Sequence, residues 1–471
     1  MKDLFENIID GYSNNENKDI IGIFGNPIKH TLSPLIHNTL SDKLGINEQY
    51  LPFWIKDDLG EYVKAAFNNN VLGLNITVPY KQKVMEFLCD IDCDAKAIGA
   101  VNTLVKTPSG YVGYNTDMPG LKKAINDENI YLEGKNIVML GAGGAARAVA
   151  YMCKKDNAAN VYIVNRSFEN ANKLADDMNE ISIAGSFTKF IPISSESYSK
   201  LLQMEDYYII QCTSVGLDVN DGLPLIDDES FYKQASFGVD LIYNPAKTKF
   251  IRTLEKYNVL CMNGLKMLVN QAIFSYQLWN NVEISKDLAD EVYRKLYANL
   301  YFKKKNNIVL IGFMGSGKST VGKALAKSLN YEFIDTDEYI EKYMDMKISD
   351  IFEKYGEEYF RSLETKILFM LNESVTDAVV STGGGMPVKE DNHSLLKSLG
   401  KVFWLDVSSD TVYKRLKNDT TRPLLKSDNP YEKIVELLNK RYTAYQNASD
   451  YVVDVNRDDV EAICNEILKK N

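Results

Sequence analysis

The sequence Gly-Phe-Met-Gly-Ser-Gly-Lys-Ser lies at residues 312–319, in the C-terminal third of the chain, and has the pattern of a phosphate-binding loop. It follows an apolar run at residues 307–311 and precedes a helical pattern. In a G-x-x-x-x-G-K-[ST] loop the backbone amides surround the phosphates, the lysine reaches the outer ones, and the hydroxyl ligates magnesium. The sequence therefore predicts ATP contacts from Gly315, Gly317, Lys318, Ser319 and Thr320, with Mg²⁺ bound by Ser319.

A second glycine-rich turn, at residues 141–146, matches G-x-G-x-x-G/A between a strand pattern and a helix pattern. Its glycines allow a pyrophosphate to approach a helix N-terminus closely. The next strand pattern ends at Arg166, where an NAD enzyme would carry an acid, and a guanidinium can bind a 2′-phosphate. The alternative is a surface arginine after an ordinary edge strand. The predicted ligand is NADP(H), contacted by Gly141, Gly143, Gly144, Ala145, Asn165, Arg166 and Ser167.

The spacing of these two turns indicates several domains. They lie about 170 residues apart, which is too far for one βαβ unit, and 471 residues predict about three domains. Strand patterns at residues 20–24 and 71–78 indicate a further α/β domain before the turn at residues 141–146. An amphipathic helix pattern over residues 287–307, with apolar residues at four-residue spacing, marks the main boundary.

Composition excludes several classes of protein. A net charge of −10 argues against a surface built broadly for nucleic acid or anionic membrane, and no apolar run is long enough to span a membrane. Six scattered cysteines and three histidines form no zinc pattern, so we expect free thiols. The N-terminal segment is acidic and resembles no targeting peptide, so we expect a cytoplasmic protein.

Ordered motifs before and after the glycine turn at residues 141–146 resemble those of shikimate dehydrogenase. The resemblance covers about residues 20–297. The matching stretches lie at residues 25–38, 75–81, 99–103, 113–117, 240–245 and 263–272.

The resemblance assigns roles to individual residues. It implies that Lys81 and Asp117 form the catalytic pair; chemically, a lysine beside an aspartate can protonate the oxygen of a ketone as hydride arrives. It implies substrate contacts from small polar side chains and a cofactor contact from Gly264. The substrate-binding set is Thr31, Ser33, Asn75, Thr77, Asn102, Tyr243 and Gln271.

Two positions depart from that family's usual pattern. Thr31 replaces a serine, which adds a methyl group beside the substrate carboxylate and could alter the choice between shikimate and quinate. Asn170 stands where many NADP-specific members have a second basic residue. Both the substrate preference and the cofactor preference are therefore left open by the sequence.

Motifs around and after the phosphate loop resemble shikimate kinase over about residues 307–471. They lie at residues 333–337, 356–364, 381–385, 422–425 and 440–442. The resemblance implies that Asp337 binds the acceptor and acts as base or orienter, and that Asp335 holds Mg²⁺. Arginines suit an acceptor carboxylate because a guanidinium pairs with it through two parallel bonds. The implied acceptor-binding set is Asp337, Arg361, Gly383, Gly384, Gly385 and Arg441.

Two further arginines are implied at the ATP site. Arg422 would cover the phosphates from a lid-like segment, and Arg415 would pack on adenine. The alternative for Arg415 is a solvated helix residue, and the alternative for Asp335 is a helix cap.

The predicted architecture is α/β throughout. A mobile leader at 1–19 precedes an α/β substrate domain at 20–120 plus 264–297, with a Rossmann NADP domain inserted at 121–263. A short linker at 298–306 leads to a P-loop αβα kinase domain at 307–471. The oligomeric state, monomer or homodimer, is not determined.

The predicted function is bifunctional: NADPH-dependent reduction of 3-dehydroshikimate to shikimate, then ATP-dependent phosphorylation to shikimate 3-phosphate. The expected partners are these small molecules, with no nucleic acid or membrane. One alternative is a quinate- or NAD-preferring dehydrogenase fused to a small-polyol kinase. Another is that one half is a degenerate nucleotide-binding regulatory module.

Overall fold

A computed structural model describes residues 18–28, 31–56, 58–218, 220–417, 429–457 and 459–471. The described part of the chain forms two compact units, which divide between Leu296 and Tyr297. Within the described ranges, no helix combines the length and apolar character needed to cross a membrane.

The first sheet lies in the N-terminal part of the first unit and has the strand order β2-β1-β3-β5-β6-β4. Strands β1, β2 and β3 are parallel, whereas β5 runs antiparallel to both of its neighbours. The strands are β1 (Asp19–Gly25), β2 (Glu48–Trp54), β3 (Gly73–Ile76), β4 (Asp90–Ile91), β5 (Thr103–Thr107) and β6 (Gly110–Tyr114). The helices are α1 (Ser33–Leu44), α2 (Leu59–Asn68), α3 (Cys93–Ile98) and α4 (Asp117–Asn126).

The second sheet is parallel throughout, with the strand order β12-β11-β10-β7-β8-β9. Its middle strands are buried apolar runs, as expected for a sheet covered on both faces by helices. The strands are β7 (Asn136–Leu140), β8 (Asn160–Asn165), β9 (Lys189–Ser194), β10 (Tyr207–Gln211), β11 (Ala235–Asp240) and β12 (Leu260–Met262). The helices are α5 (Gly144–Lys155), α6 (Phe168–Glu180), α7 (Glu229–Lys233) and α8 (Lys249–Lys256).

Two long helices follow the second sheet. Helix α9 (Leu265–Asn280) returns to the first sheet, where its Trp279 indole donates to the carbonyl of Leu104 on β5. Helix α10 (Lys286–Tyr301) contains the division between the two compact units, which falls between Leu296 and Tyr297. Residues 298–301 of the predicted linker therefore belong to a helix.

The second unit contains a parallel five-stranded sheet with the order β14-β15-β13-β16-β17. The strands are β13 (Asn307–Ile311), β14 (Glu332–Asp335), β15 (Ala378–Ser381), β16 (Gly400–Asp406) and β17 (Tyr451–Asp454). The helices are α11 (Lys318–Leu329), α12 (Thr336–Met344), α13 (Ile348–Ser374), α14 (Asp391–Leu399), α15 (Ser409–Leu416), α16 (Pro430–Ala448) and α17 (Val460–Lys470). Gly356, at φ 83°, kinks α13.

The predicted α/β fold class is confirmed. Each glycine turn begins at the carboxyl end of a central strand, β7 or β13, and leads directly into a helix. In parallel α/β sheets this edge is where ligands bind, because the helix N-termini and the loops converge there.

Candidate active sites

A cleft of about 430 Å³ in the first unit brings the predicted substrate-binding residues together. Its wall comes from β3 and the loop after it, the segments that follow β1 and β11, and the helices α4, α5 and α9. The predicted residues that line it are Thr31, Ser33, Asn75, Thr77, Lys81, Asn102, Asp117, Tyr243 and Gln271. Ala145 and Gly264, predicted to contact the cofactor, line the same cleft, so the residues predicted to bind substrate and two of those predicted to bind cofactor share one cavity.

Lys81 and Asp117 form an ion pair in this cleft. The Lys81 Nζ lies 2.6 Å from the Asp117 Oδ2, with side-chain exposures of 23% and 12%. The Asn115 Oδ1 accepts from the backbone amides of Asp117 and Met118, which fixes the first turn of α4. The pair thus combines a proton donor with a carboxylate that holds it in place.

A buried polar layer behind the cleft was missed by the sequence analysis. The Ser275 Oγ on α9 lies 2.8 Å from the Thr103 Oγ1, 3.1 Å from the Thr116 Oγ1 and 3.0 Å from the Asn75 Nδ2. The Tyr50 Oη donates to the Asn75 Oδ1 at 2.8 Å. This layer links β3, which carries Asn75, and β5, which carries Thr103, to Thr116, the residue before Asp117. The sequence signal for it was Ser275, which lies four residues, about one turn, after Gln271 on the same helix.

The amide of Asn102 is also held by this layer. Its Oδ1 accepts from the backbone amide of Thr116 at 2.8 Å, and its Nδ2 donates to the Thr116 Oγ1 at 3.0 Å. Because both ends of the amide are engaged, its orientation is fixed before any ligand binds.

The glycine turn at residues 141–146 has the geometry that its glycines predict. Gly141 has φ 109°, and a Cβ there would lie 2.9 Å from the Thr213 methyl carbon, whereas a Cβ on Gly143 or Gly144 would meet nothing within 4 Å. That open space precedes the first amides of α5, where an anion is favoured. A Cβ on Gly264 would lie 2.1 Å from the Leu241 carbonyl oxygen, so this position requires glycine.

The residues after β8 form an exposed corner. Arg166 is exposed, the Asn165 Nδ2 donates to the Ser167 carbonyl at 3.0 Å, and the Ser167 Oγ caps α6 by accepting from the Asn170 amide. The three predicted cofactor residues of this corner thus lie at the carboxyl edge of the second sheet.

A smaller cavity of about 230 Å³ surrounds the phosphate loop of the second unit. It is lined by Gly315, Gly317, Lys318, Ser319 and Thr320 together with Asp335 and Asp337. The Lys318 Nζ donates to the carbonyls of Gly312 and Phe313, at 2.8 Å and 3.0 Å. The lysine therefore lies across the loop, within reach of a phosphate bound there.

Three oxygen-bearing side chains meet beside this loop. The Ser319 Oγ and the Ser381 Oγ donate to the Asp335 Oδ2, at 2.9 Å and 3.2 Å. Oxygen ligands, few from the protein and the rest from phosphate and water, are what Mg²⁺ prefers. No group of three or more His, Cys, Asp or Glu side chains suited to a metal occurs in the described residues.

Asp335 also caps α12, because its Oδ1 accepts from the Asp337 amide at 3.0 Å. The two interpretations of Asp335, cap and metal ligand, use different oxygens of the same carboxylate and are compatible.

A second group of charged residues lies beside the loop at residues 383–385. The Arg361 guanidinium bonds the Glu364 Oε2 at 2.8 Å and the Glu357 Oε1 at 2.9 Å. Burial raises the pKa of Glu364 to about 7, although Arg361 opposes that shift. Glu364 was not predicted as a site residue, and its spacing of three from Arg361 was the signal.

The triple-glycine loop fits closely against these charges. A Cβ on Gly383 would lie 2.5 Å from the Asp337 Oδ1, and a Cβ on Gly385 would lie 2.1 Å from an Arg361 nitrogen. Glycine at these two positions therefore leaves room for the Asp337 and Arg361 side chains.

Helix α16 contacts the middle of the same loop. The Tyr445 Oη donates to the Gly384 carbonyl at 2.6 Å, and the Arg441 guanidinium donates to the same carbonyl at 3.4 Å while stacking on Phe313. Arg361 and Arg441 thus border one loop from two different helices.

Arg415 is half-buried, and its guanidinium donates to the carbonyl oxygens of Gly315 at 3.1 Å and Val455 at 2.9 Å. It therefore links the phosphate loop to the segment after β17. Arg422, predicted to cover the phosphates, lies outside the described residues.

Family models match three parts of the chain. The model described as shikimate dehydrogenase substrate binding domain matches residues 23–104, and the model described as shikimate / quinate 5-dehydrogenase matches residues 123–193. The shikimate kinase model matches residues 314–471.

Relatives and solved structures match the N-terminal part. An NADP(+) shikimate dehydrogenase of Methanococcus maripaludis is 39% identical over 267 residues, 55% of this chain and 91% of the relative. A chorismate mutase/shikimate 5-dehydrogenase fusion structure from Clostridium acetobutylicum is 34% identical, with TM-score 0.54, over 60% of this chain and 99% of that one. A Listeria monocytogenes shikimate 5-dehydrogenase, solved with shikimate and NAD, is 28% identical, with TM-score 0.54, over 59% and 96%.

These matches, read with the two cavities, confirm both halves of the predicted assignment. The chain belongs to the shikimate dehydrogenase family in its N-terminal part and continues into a shikimate kinase domain, which makes it a bifunctional enzyme of the shikimate pathway.

Proposed function

We propose that the N-terminal cleft reduces the C3 ketone of 3-dehydroshikimate with NADPH, and that the C-terminal cavity transfers the γ-phosphoryl group of ATP to the resulting hydroxyl. The observation that carries the first step is the 2.6 Å Lys81–Asp117 pair inside a cleft lined by amides and hydroxyls. The two halves then act in succession on one oxygen atom.

In the reduction, the glycine turn at residues 141–146 and the corner at Arg166 would hold NADPH, which would supply the hydride for the carbonyl carbon. As the electron pair of the C=O bond moves to the oxygen, the Lys81 ammonium donates a proton to it, and Asp117 stabilises the ammonium beforehand. The ring oxygens are bound by the side chains of Asn75, Asn102, Thr77 and Gln271. The two asparagine amides are already held in place by the buried layer. Tyr243 and the Thr31 and Ser33 hydroxyls complete the pocket, where the Thr31 Oγ1 donates to the Ser33 Oγ at 3.2 Å.

In the phosphorylation, the chain's own residues orient two charged molecules. Arg361 and Arg441 bind the acceptor carboxylate, and Asp337 orients the attacking hydroxyl and accepts its proton. Lys318 and the loop amides neutralise the phosphates, and Arg415 borders the nucleotide. Ser319, and Asp335 through water, would hold Mg²⁺, which would supply positive charge against the negative charge of the phosphates.

The quinate- or NAD-preferring alternative is not favoured, because the similar curated proteins are NADP(+) shikimate dehydrogenases. We place the enzyme in the cytoplasm, where both nucleotides are available, and assign no partner beyond its small-molecule substrates.

The test supplies 3-dehydroshikimate, NADPH, ATP and Mg²⁺ together and measures shikimate 3-phosphate. Lys81→Ala should abolish reduction while phosphorylation of added shikimate persists, and Lys318→Ala should do the reverse. NADPH oxidation without phosphate transfer would refute the kinase half, and loss of both activities in either variant would refute independent sites.

A further inference from the structure

The corner after β8 combines two opposite signals for cofactor choice. Arg166, directly after the strand, is the residue type that accommodates a 2′-phosphate. Three residues later, Glu169 places a carboxylate in the first turn of α6, and the acid side chain is the type that accepts from an unphosphorylated ribose 2′-hydroxyl. The two therefore favour different dinucleotides.

The Ser167 hydroxyl already donates its hydrogen to the Glu169 carboxylate. Its Oγ donates to the Glu169 Oε2 at 2.9 Å, and the same oxygen accepts from the Asn170 amide at 3.3 Å. A hydroxyl has one hydrogen to donate. While that hydrogen points at Glu169, Ser167 has no hydrogen left to donate to a phosphate at this corner.

The charges at this corner nearly cancel. Arg166 contributes one positive charge, Asn170 is neutral, and Glu169 contributes one negative charge because its own backbone amide and the Ser167 hydroxyl hold the pKa of Glu169 below its ordinary value. A ribose 2′-phosphate carries close to two negative charges at neutral pH. The attraction from Arg166 is thus partly offset by repulsion from Glu169.

We propose that Glu169 is a cofactor-specificity residue that lowers the preference for NADPH, so that the dehydrogenase also accepts NADH, the dinucleotide without the 2′-phosphate. The inference rests on the proposed NADPH-dependent reduction and adds a determinant to its cofactor site. Because Glu169 is exposed, water weakens its repulsion, and we expect an effect of roughly three- to tenfold rather than a complete switch.

The experiment measures kcat/KM for NADPH and NADH with 3-dehydroshikimate in the full-length enzyme. Glu169→Gln keeps the side-chain size and removes the charge, so the NADPH/NADH ratio should rise roughly three- to tenfold. The change should come from a lower KM for NADPH with kcat little altered. Glu180→Gln, at the opposite end of the same helix, is the matched control and should leave the ratio unchanged.

Two further readouts separate repulsion from a merely structural effect. The gain in Glu169→Gln should shrink as salt is raised to about 1 M, where the screening length falls to about 3 Å. Ser167→Ala should lower NADPH use more in a Glu169→Ala background than in the native one, because truncation at position 169 removes the acceptor of the Ser167 hydrogen.

An NADPH/NADH ratio that stays within twofold in Glu169→Gln at low salt would overturn the inference, whether or not Arg166→Ala changes it. A gain that persists at high salt would also overturn it, since the cause would then not be charge. Failure to reduce 3-dehydroshikimate with either dinucleotide would instead refute the proposed function.

Discussion

The fit between Gly385 and Arg361 allows a sharp test of the acceptor site. In Gly385→Ala the new Cβ would lie 2.1 Å from an Arg361 terminal nitrogen and 2.6 Å from its Cζ. The backbone at Gly385, with φ −91° and ψ −18°, is ordinary for alanine. The substitution therefore acts through one steric overlap and not through backbone strain.

The structure gives the size of the displacement. Ordinary contact begins at 3.4 Å, so the guanidinium must withdraw by about 1.3 Å from its 2.1 Å separation. The atoms that move are the far end of a flexible side chain, so the fold can accommodate the change. A misplacement of about 1 Å in a positioning group can cost about 100-fold in rate, which corresponds to about 2.7 kcal/mol.

The assay is steady-state phosphorylation of added shikimate at saturating ATP, with the dehydrogenase activity of the same molecule as internal control. We expect kcat/KM for shikimate to fall roughly 30- to 100-fold, mostly through KM, while KM for ATP and the reduction rate hold. Gly384→Ala is the matched comparison, since its Cβ would meet nothing closer than 3.5 Å. It should lose much less.

Unchanged kinetics for shikimate in Gly385→Ala would refute the assignment of Arg361 to the acceptor. Equal losses in both alanine variants would show that the loop, rather than the guanidinium, is what alanine disturbs.

Three other predictions concern the buried layer, a buried histidine and the metal. Ser275→Ala should leave the Asn75 and Thr103 side chains without one of their hydrogen-bond partners, which should lower the free energy of unfolding in urea by about 1–3 kcal/mol and raise KM for 3-dehydroshikimate. An unchanged KM would show that the buried layer does not position substrate. Burial lowers the pKa of His37 to about 3, so below about pH 6.5 the unfolded chain binds a proton at this histidine that the folded protein does not. The free energy of unfolding should therefore fall as the pH is lowered from about 6.5 to 3. This pH dependence should be absent in His37→Phe, and its persistence would implicate other groups. Asp335→Asn keeps a side chain that can cap the helix but removes a negative charge. In a Mg²⁺ titration the kinase activity should need several-fold more Mg²⁺, while the melting temperature should change little. An unchanged Mg²⁺ dependence would exclude Asp335 as a ligand.

The sequence predicted the α/β class and the two nucleotide-binding turns well, because their signals are local. A glycine turn between an apolar strand and a helix is contained in about a dozen consecutive residues. Arg415 illustrates the limit of this reasoning, since its spacing left a solvated position open. The bonds it makes, to Gly315 and Val455, join segments that are far apart in the sequence.

The order of residues was enough to identify the chemical groups that the chain carries, including Lys81, Asp117 and the Lys318 loop. Which of these groups meet became clear from the folded structure. Ser275 reaches Asn75 across 200 positions, and Arg361 packs against Gly385 at a distance that excludes a methyl group. The physical reason is that buried hydrogen bonds and steric fit depend on distances between separate helices and strands, which local periodicity does not specify.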